Sequence, residues 1–123
     1  MPEVKMHEKL LSICALIEKE IGFFPNNCLI NYYLDGCSTM GYHSDATEDL
    51  KEYTGVAIVS LGSERNIAYR SKINQNIKFK YALKSGSLLY MDQNIQDEWV
   101  HAIPKQAGVG ERISLTFRLI VKS

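Results

Sequence analysis

Residues 56–92 read VAIVSLGSERNIAYRSKINQNIKFKYALKSGSLLYMD, and this stretch decides the fold class. It contains four short β segments, which are separated by Gly, Ser, Asn and Lys. Short apolar-rich segments cut by turn residues are typical of an all-β arrangement. The four segments are VAIVSLG (56–62), NIAYRSK (66–72), IKFKYAL (77–83) and SLLYMD (87–92).

The same pattern continues on both sides of this stretch. CLINYYL (28–34) stops at an Asp-Gly pair, EWVHAI (98–103) stops at a proline, and RISLTFRLIV (112–121) closes the chain. Residues 38–54 show no clear strand pattern and are predicted to form a loop. Seven or so strands at this spacing predict a mainly β domain, either a barrel or a two-sheet jelly roll.

A helix is predicted before the strands. Apolar residues recur at helical spacing from Met6 to Ile21, charged residues take the opposite face, and Gly22 ends the run. We therefore predict one amphipathic helix over residues 3–21, with His7 exposed on it. Its apolar stripe is interpreted as a packing face, so the chain as a whole is predicted to be α+β with most residues in strands.

Composition argues against several classes of protein. The 123 residues are enough for one domain, and 46% hydrophobic with 23% charged residues is ordinary for a folded chain. Fourteen basic residues balance fourteen acidic ones, which gives no support for non-specific nucleic-acid binding through a basic excess. The three cysteines lack Cys-x-x-Cys spacing, which argues against a disulfide framework or a structural zinc site.

Targeting signals are not evident in the sequence. The first residues mix charges with apolar side chains, unlike a signal peptide. No apolar run approaches the roughly 20 residues that are needed to cross a bilayer. We therefore expect no membrane association and a cytoplasmic protein with reduced thiols.

One short motif suggests a metal site. His43-Ser44-Asp45 is a His-x-Asp, and in an extended segment the two side chains would face the same side and could reach one ion. Of the other histidines, His7 is assigned to the helix, which leaves His101 in the penultimate strand. Two histidines and a carboxylate form the metal-binding face of non-haem Fe(II) oxygenases. The alternatives are a solvated loop histidine at 43 and a hydrogen-bonded core histidine at 101.

The pattern of the final strand supports the prediction of a metal site. Polar and apolar residues alternate along it, which places Arg112 and Arg118 on one face. These arginines could be charges that face solvent. If the face instead lines a barrel interior, the two guanidinium groups would suit the carboxylates of a dianion. The order of the two patterns, with a histidine between them, favours the second interpretation.

At this point the chain resembles the AlkB family of Fe(II)- and 2-oxoglutarate-dependent dioxygenases. The likeness covers roughly residues 28–121, and the segments that carry it are NYYLDGCSTMGYHSD, VAIVSLG, GSLLYM, WVHAIPK and RISLTFR. The resemblance implies a double-stranded β-helix (jelly roll) over 28–121, with Fe(II) held at one end. In the family pattern the iron ligands would be His43, Asp45 and His101.

The resemblance also implies residues for the cosubstrate. Arg112 would pair with the distal carboxylate of 2-oxoglutarate, and Arg118 would lie near the end that chelates iron. Asn31 and Tyr33 match an Asn-x-Tyr whose side chains hydrogen-bond the cosubstrate in the family. Ser114 stands where many members have asparagine, and it can still donate a hydrogen bond.

The implied reaction consumes O2 and 2-oxoglutarate, releases succinate and CO2, and hydroxylates a substrate C–H bond. On an N-methyl carbon, the hydroxylated product would collapse to formaldehyde and the demethylated nitrogen. Members that repair nucleic acids often continue the His-x-Asp with Asp-Glu, but here Ala46 and Thr47 follow and Glu48 is displaced. Those members carry a nucleotide-recognition lid before the core, and because one helix stands there in this sequence we expect the lid to be absent.

Three functional readings follow. An N-alkylated nucleobase in single-stranded DNA or RNA is favoured as substrate by the family likeness. A small molecule or a peptide side chain is favoured by the neutral charge and by the missing lid and acidic pair. A reading of another class is a non-catalytic jelly-roll module that binds metal or 2-oxoglutarate without turnover. Four residues are weaker candidates for substrate contacts, with a packing or surface role as the alternative: Tyr42, Glu48, Tyr90 and Trp99.

Overall fold

The computed structural model describes residues 7–121, which form eight strands and two helices. Helix α1 (Glu8–Ile21) precedes all the strands, and helix α2 (Gln93–Glu98) lies between the sixth and the seventh. Within the described residues, neither helix is long and apolar enough to cross a membrane. The strands are β1 (Asn27–Tyr33), β2 (Met40–His43), β3 (Val56–Gly62), β4 (Arg65–Ser71), β5 (Lys78–Leu83), β6 (Leu88–Met91), β7 (Trp99–Ile103) and β8 (Arg112–Arg118).

The strands form two four-stranded sheets. Sheet A has the order β1-β8-β3-β6, and sheet B has the order β2-β7-β4-β5. All six strand pairings are antiparallel. Strands that follow one another along the chain fall largely in opposite sheets, as in a jelly roll. The mainly β jelly roll with one N-terminal helix, predicted from the sequence, is confirmed.

Two apolar clusters hold the layers together. The first fills the space between the sheets and includes Ile58 of sheet A and Ile67 of sheet B. The second joins α1 to the outer face of sheet A, where Cys14 and Ile17 pack with Phe117. Burying such side chains contributes about 1.5–3 kcal/mol each, so α1 and the two sheets support one another.

The two faces of β8 divide between these clusters. Leu115 and Phe117 point toward α1. Arg112, Ser114 and Thr116 are buried on the other face, where the exposed fractions are 1%, 4% and 6%. The arginine face therefore lines the interior of the jelly roll, and the solvent-facing alternative is wrong for Arg112.

Two segments differ from the sequence prediction. The predicted loop 38–54 contains β2, which pairs with β7 through Met40 opposite Ile103 and His43 opposite His101. This pairing arises from a distant strand, so local alternation does not reveal it. Helix α2 was not predicted either; Asp92 caps it by accepting a hydrogen bond from the backbone N–H of Ile95 at 2.9 Å.

The N-terminal helix is shorter than predicted. Of the predicted range 3–21, residues 3–6 lie outside the described residues, and α1 begins at Glu8. His7 is exposed, as expected, but it is the N-cap and has extended backbone angles. Its Nδ1 accepts a hydrogen bond from the backbone N–H of Lys9 at 3.1 Å, which caps one of the free donors of the first turn. Gly22 ends the helix with a φ of 103°, a conformation that favours glycine.

Candidate metal centre and adjoining cavity

Three potential metal ligands meet between the two sheets. His43 ends β2, His101 lies opposite it in β7, and Asp45 follows two residues after the end of β2. One ligand atom from each of the three side chains lies within 4.8 Å of the other two. The imidazole rings of the two histidines are 4.4 Å apart between centroids, and His101 Nε2 lies 3.5 Å from Asp45 Oδ2. Two imidazoles and one carboxylate are a donor set that suits Fe(II).

Both histidines are in a form that can bind a metal ion. His43 Nδ1 lies 2.8 Å from the backbone carbonyl of Gly41, and a carbonyl only accepts, so Nδ1 carries the proton and Nε2 is left for an ion. Burial, and next the neighbouring His43, lower the pKa of His101 to about 4, while Asp45 acts in the opposite direction. A neutral imidazole is the form that binds metal, so at neutral pH His101 can bind an ion without first giving up the proton of an imidazolium.

The carboxylate ligand is held by an arginine. Arg118 Nη2 donates to Asp45 Oδ1 at 2.9 Å, and both side chains are largely buried, with exposed fractions of 16% and 15%. The pair fixes one carboxylate oxygen and leaves Oδ2 on the side of His101. Because a charge-assisted bond is directional, it restricts the rotation of the carboxylate.

A cavity of about 260 Å³ opens beside the three ligands. Its walls come from both sheets, and most of its polar groups come from β1 and β8. Apolar side chains such as Ile58 and Ile67 close the remaining sides. A site of this kind, largely apolar with a few converging polar groups, is typical of a small-ligand pocket. The predicted metal and cosubstrate residues that line it are Asn31, Tyr33, His43, Asp45, His101, Arg112, Ser114 and Arg118.

Arg112 is the most unusual group in this cavity. Its Nη2 donates to Ser60 Oγ at 2.9 Å, whereas Nε and Nη1 have no hydrogen-bond partner among the described residues. Burial lowers the pKa of this guanidinium, and Tyr33 beside it acts in the opposite direction. The Tyr33 ring lies 5.0 Å from the guanidinium carbon. A buried cation with unsatisfied donors that faces a cavity fits an anionic ligand such as a carboxylate.

The predicted Asn-x-Tyr also lies in the cavity wall. Register places Asn31 opposite Ser114 and Tyr33 opposite Arg112, so these four side chains share one face of sheet A. Tyr33 is 5% exposed, and its ring also lies 5.5 Å from the guanidinium carbon of Arg65. The structure thus brings the predicted cosubstrate residues together with the three predicted metal ligands.

The four weaker candidates for substrate contacts lie in different places. Trp99 is half-buried on the inner face of sheet B, with its ring centroid 5.0 Å from that of Phe79. Tyr42 is exposed, and Arg70 stacks on its ring at 4.2 Å. Glu48 is exposed in the loop after β2. Tyr90 packs with the cluster that contains α1.

Three residues near the site were not singled out from the sequence. Ser60 holds Arg112, and Tyr69 stands opposite His101 with its ring centroid 6.0 Å away. Gln96 is 2% exposed, and its Oε1 accepts from the backbone N–H of Asp45 at 2.8 Å. The N-cap pattern at Asp92 was the one signal that could have located the helix carrying Gln96.

The sequence of the chain matches one known protein family. The sequence pattern of the 2OG-Fe(II) oxygenase superfamily matches residues 2–118. The chain belongs to the 2OG-Fe(II) oxygenase superfamily. Membership implies Fe(II) as metal, 2-oxoglutarate as cosubstrate and O2 as oxidant, and the His-Asp-His group of this chain is the donor set that such an iron requires.

Within the superfamily the chain is AlkB-like. It is 34% identical to human DNA oxidative demethylase ALKBH2 over 104 residues, a region that covers 78% of this chain and 40% of that protein. It is 30% identical to human alpha-ketoglutarate-dependent dioxygenase alkB homolog 3, over a region that covers 97% of this chain and 45% of that protein. It is 36% identical to an uncharacterized protein of Acanthamoeba polyphaga mimivirus, over a region that covers 83% of this chain and 53% of that protein. The chain therefore spans about half, or less, of the length of these relatives.

Solved structures agree on the fold. The structure of OsALKBH1 superposes with a TM-score of 0.69 at 18% identity and covers 93% of this chain and 64% of that chain. A TDP-quinovose 3,4-ketoisomerase from Campylobacter jejuni has a TM-score of 0.50 at 14% identity and covers 86% and 72%. Because an isomerase shares the jelly roll, the fold alone does not determine the chemistry.

Proposed function

We propose that this chain is an AlkB-like Fe(II)- and 2-oxoglutarate-dependent dioxygenase that oxidatively demethylates an N-alkylated nucleobase in DNA or RNA. The observation that carries the proposal is the joint presence, in one cavity, of the His-Asp-His group and the buried, partly unpaired Arg112. A metal alone would not explain the arginine, and an anion alone would not explain the three ligands. A dicarboxylate that also binds iron accounts for both.

Each cavity residue has a defined task in this proposal. His43, Asp45 and His101 hold Fe(II), and Arg118 orients the carboxylate of Asp45. Arg112 binds the distal carboxylate of 2-oxoglutarate. Bound Fe(II), together with 2-oxoglutarate and O2, supplies the oxidising power for hydroxylation and leaves succinate and CO2. Asn31, Tyr33 and Ser114 stand on the same wall as Arg112 and would hydrogen-bond the cosubstrate.

The nucleobase is supported by the relatives and by an aromatic cluster beside the metal ligands. ALKBH2, a relative by sequence, is described as a DNA oxidative demethylase. Tyr69, next to His101, stacks on Phe79 with 4.9 Å between ring centroids, and Tyr81 and Trp99 also contact Phe79. Phe79 and Tyr81 are 38% and 57% exposed, so flat aromatic surface is available to a base. Stacking on such rings stabilises an unpaired base by about 1–3 kcal/mol.

Two observations favour the other substrate class, and the first is that Ala46 and Thr47 stand where nucleic-acid repair members often have Asp-Glu. The second is that the formal net charge of the chain is zero, whereas phosphate contacts usually require a basic excess. A small molecule or a peptide side chain would need no such excess. The non-catalytic alternative has no comparable support, because both the ligand set and the arginines are intact. The cytoplasmic location expected from the sequence stays a prediction.

The first test is spectroscopic. Protein mixed anaerobically with Fe(II) and then with 2-oxoglutarate is expected to develop the weak visible absorption band of the iron chelate. After O2 is admitted, succinate is measured, with and without an oligonucleotide carrying N-methylated bases. The same oligonucleotide without methyl groups is the substrate control. His43→Ala should lose the band and the succinate, and His7→Ala, a histidine outside the cavity, should keep both.

The outcomes separate the readings. Succinate that rises with the methylated oligonucleotide, accompanied by equal formaldehyde, supports the whole proposal. Succinate that the oligonucleotide does not stimulate keeps the dioxygenase and rejects the nucleobase, which directs the search to small molecules and peptides. A folded protein that shows neither the band nor succinate would rule out the oxygenase and leave the binding module.

A further inference from the structure

The metal ligand Asp45 is not held by a strand. β2 ends at His43, whose backbone lies in the ladder with His101 and whose ring is bound to the Gly41 carbonyl. Asp45 comes two residues later, in the loop that runs from Ser44 to Gly55. Its position therefore depends on contacts other than the β-sheet, and one of them, Arg118, holds only the carboxylate.

The backbone of Asp45 is held by Gln96 in α2. The Asp45 N–H donates to Gln96 Oε1 at 2.8 Å, across 51 positions of sequence. Gln96 is 2% exposed, so water has little access to the acceptor side of this bond. A buried backbone N–H that loses its partner costs about 1–3 kcal/mol, which makes the contact selective for one loop conformation.

Gln96 is itself fixed on several sides. Its backbone N–H donates to the Asp92 carbonyl at 3.3 Å, and its carbonyl accepts from Lys72 Nζ at 2.8 Å. Its side-chain Nε2 lies 3.8 Å from Met91 Sδ, which orients the amide so that Oε1 faces Asp45. The acceptor is thus placed before any ion binds.

The neighbouring Gln93 offers a natural comparison. It lies one turn earlier on α2, and its Nε2 donates to the carbonyls of Lys51 at 3.2 Å and Thr54 at 2.7 Å. Gln93 therefore holds the far end of the same loop without contact to Asp45. The two glutamines separate a general effect of loop anchoring from a specific effect on the metal ligand.

From this geometry we infer that Gln96 is a positioning residue for the metal site, which fixes the backbone of Asp45 so that its carboxylate faces His43 and His101. The inference rests on the proposed role of Asp45 as an iron ligand. Groups that hydrogen-bond to metal ligands typically change metal affinity by about 10–100-fold when they are removed. We expect a loss of about tenfold for Gln96, since Arg118 continues to hold the carboxylate.

Mn(II) binding to the purified protein tests the inference without turnover. Gln96→Met keeps the size and removes the acceptor, and it should weaken Mn(II) binding about tenfold. Gln96→Glu keeps an oxygen at this place and should bind Mn(II) more tightly than Gln96→Met. Gln93→Met should bind Mn(II) as the unmodified protein does. All measurements are made below the melting temperature of each variant.

Hydrogen exchange of the unmodified, metal-free protein provides a test that needs no variant. The Asp45 amide should exchange slowly, whereas an amide that exchanges at the rate of an unstructured peptide would overturn the inference. Equal Mn(II) affinity in Gln96→Met and the unmodified protein, or equal losses in Gln96→Met and Gln93→Met, would also overturn it while leaving the proposed function intact. Failure of the unmodified protein to bind either Mn(II) or Fe(II) would reject both.

Discussion

Arg112 combines burial with missing partners, and this combination indicates a ligand. A guanidinium that is 1% exposed, with Nε and Nη1 unpaired among the described residues, destabilises the empty protein. The Ser60 hydroxyl and the Tyr33 ring offset only part of this cost. Such a group is favourable once an anion completes its hydrogen bonds, so its energetic benefit appears in the bound state.

Arg112→Met is expected to change stability and binding in opposite directions. Without 2-oxoglutarate, the melting temperature should stay equal or rise, because an apolar chain replaces an unsatisfied buried cation. Affinity for 2-oxoglutarate should fall at least about 30-fold, because losing one partner of a buried charge pair costs about 2 kcal/mol or more. Calorimetry with the Mn(II)-loaded protein measures the affinity. Arg70→Met removes an arginine that stacks on Tyr42, and it should leave the affinity unchanged.

An Arg112→Met protein that binds 2-oxoglutarate as tightly as the unmodified one would contradict the assignment of the distal carboxylate to this residue. A large drop in melting temperature without ligand would contradict the idea that the empty site carries an unsatisfied charge.

At the residue scale, the sequence predicted side chains that the structure brings together around one cavity, but it did not predict how each of them is placed. The His-x-Asp was recognised by assuming that His43 and Asp45 share one face of an extended segment. In the structure only His43 belongs to a strand, and Asp45 is placed by Arg118 and Gln96. Arg118 was assigned to the chelating end through the family resemblance. Gln96 is 51 positions from Asp45, and no local pattern of residues records a contact over that distance.

Among the elements, α1 supports the metal site from outside. It packs on the face of sheet A opposite the cavity, through Ile17 and its neighbours Phe117 and Leu115. Along β8, Leu115 and Phe117 alternate with Ser114 and Thr116, which face inward. A helix that keeps β8 in place therefore also keeps the arginines of that strand in register.

Ile17→Ala should destabilise the protein and leave its chemistry intact. Ile17 is 1% exposed, and truncating such a side chain costs about 2–5 kcal/mol because it leaves a cavity. Chemical denaturation followed by circular dichroism measures the loss. The adjacent Leu16 is 60% exposed, and Leu16→Ala should change the free energy of unfolding by no more than about 0.5 kcal/mol. Equal effects of the two substitutions would contradict the packing of α1 on sheet A.

The elements that were missed share a physical cause. The predicted strand at 56–62 coincides with β3, since its buried apolar run is a local signal. β2 has four residues with an exposed middle, and its strand conformation comes from pairing with β7. Helix α2 has six residues, too few for an apolar period, and its polar sequence is stabilised by its cap at Asp92 and by contacts of Gln93 and Gln96 to the loop.

Across the whole molecule, the two sheets make different contributions to one site. Sheet B provides His43 and His101, and sheet A provides Arg112 and Arg118. Asp45 joins them, because it lies beside His101 and is paired with Arg118. The cavity interrupts the apolar contacts between the two sheets. A metal and a dicarboxylate bound between these groups would connect the sheets at that place. Ligand binding is therefore expected to stabilise the fold as well as to prepare the reaction.

Thermal unfolding measures this connection directly. Mn(II) should raise the melting temperature, 2-oxoglutarate alone should raise it little, and the two together should raise it most, because the metal completes the binding site for the cosubstrate. A ligand at 100 times its dissociation constant stabilises the folded state by about 2.7 kcal/mol. Arg112→Met should keep the increment from Mn(II) and lose the one from 2-oxoglutarate, whereas His43→Ala should lose both. If 2-oxoglutarate gave its full increment without metal, the two ligands would bind independently, and a shared site between the sheets would be wrong.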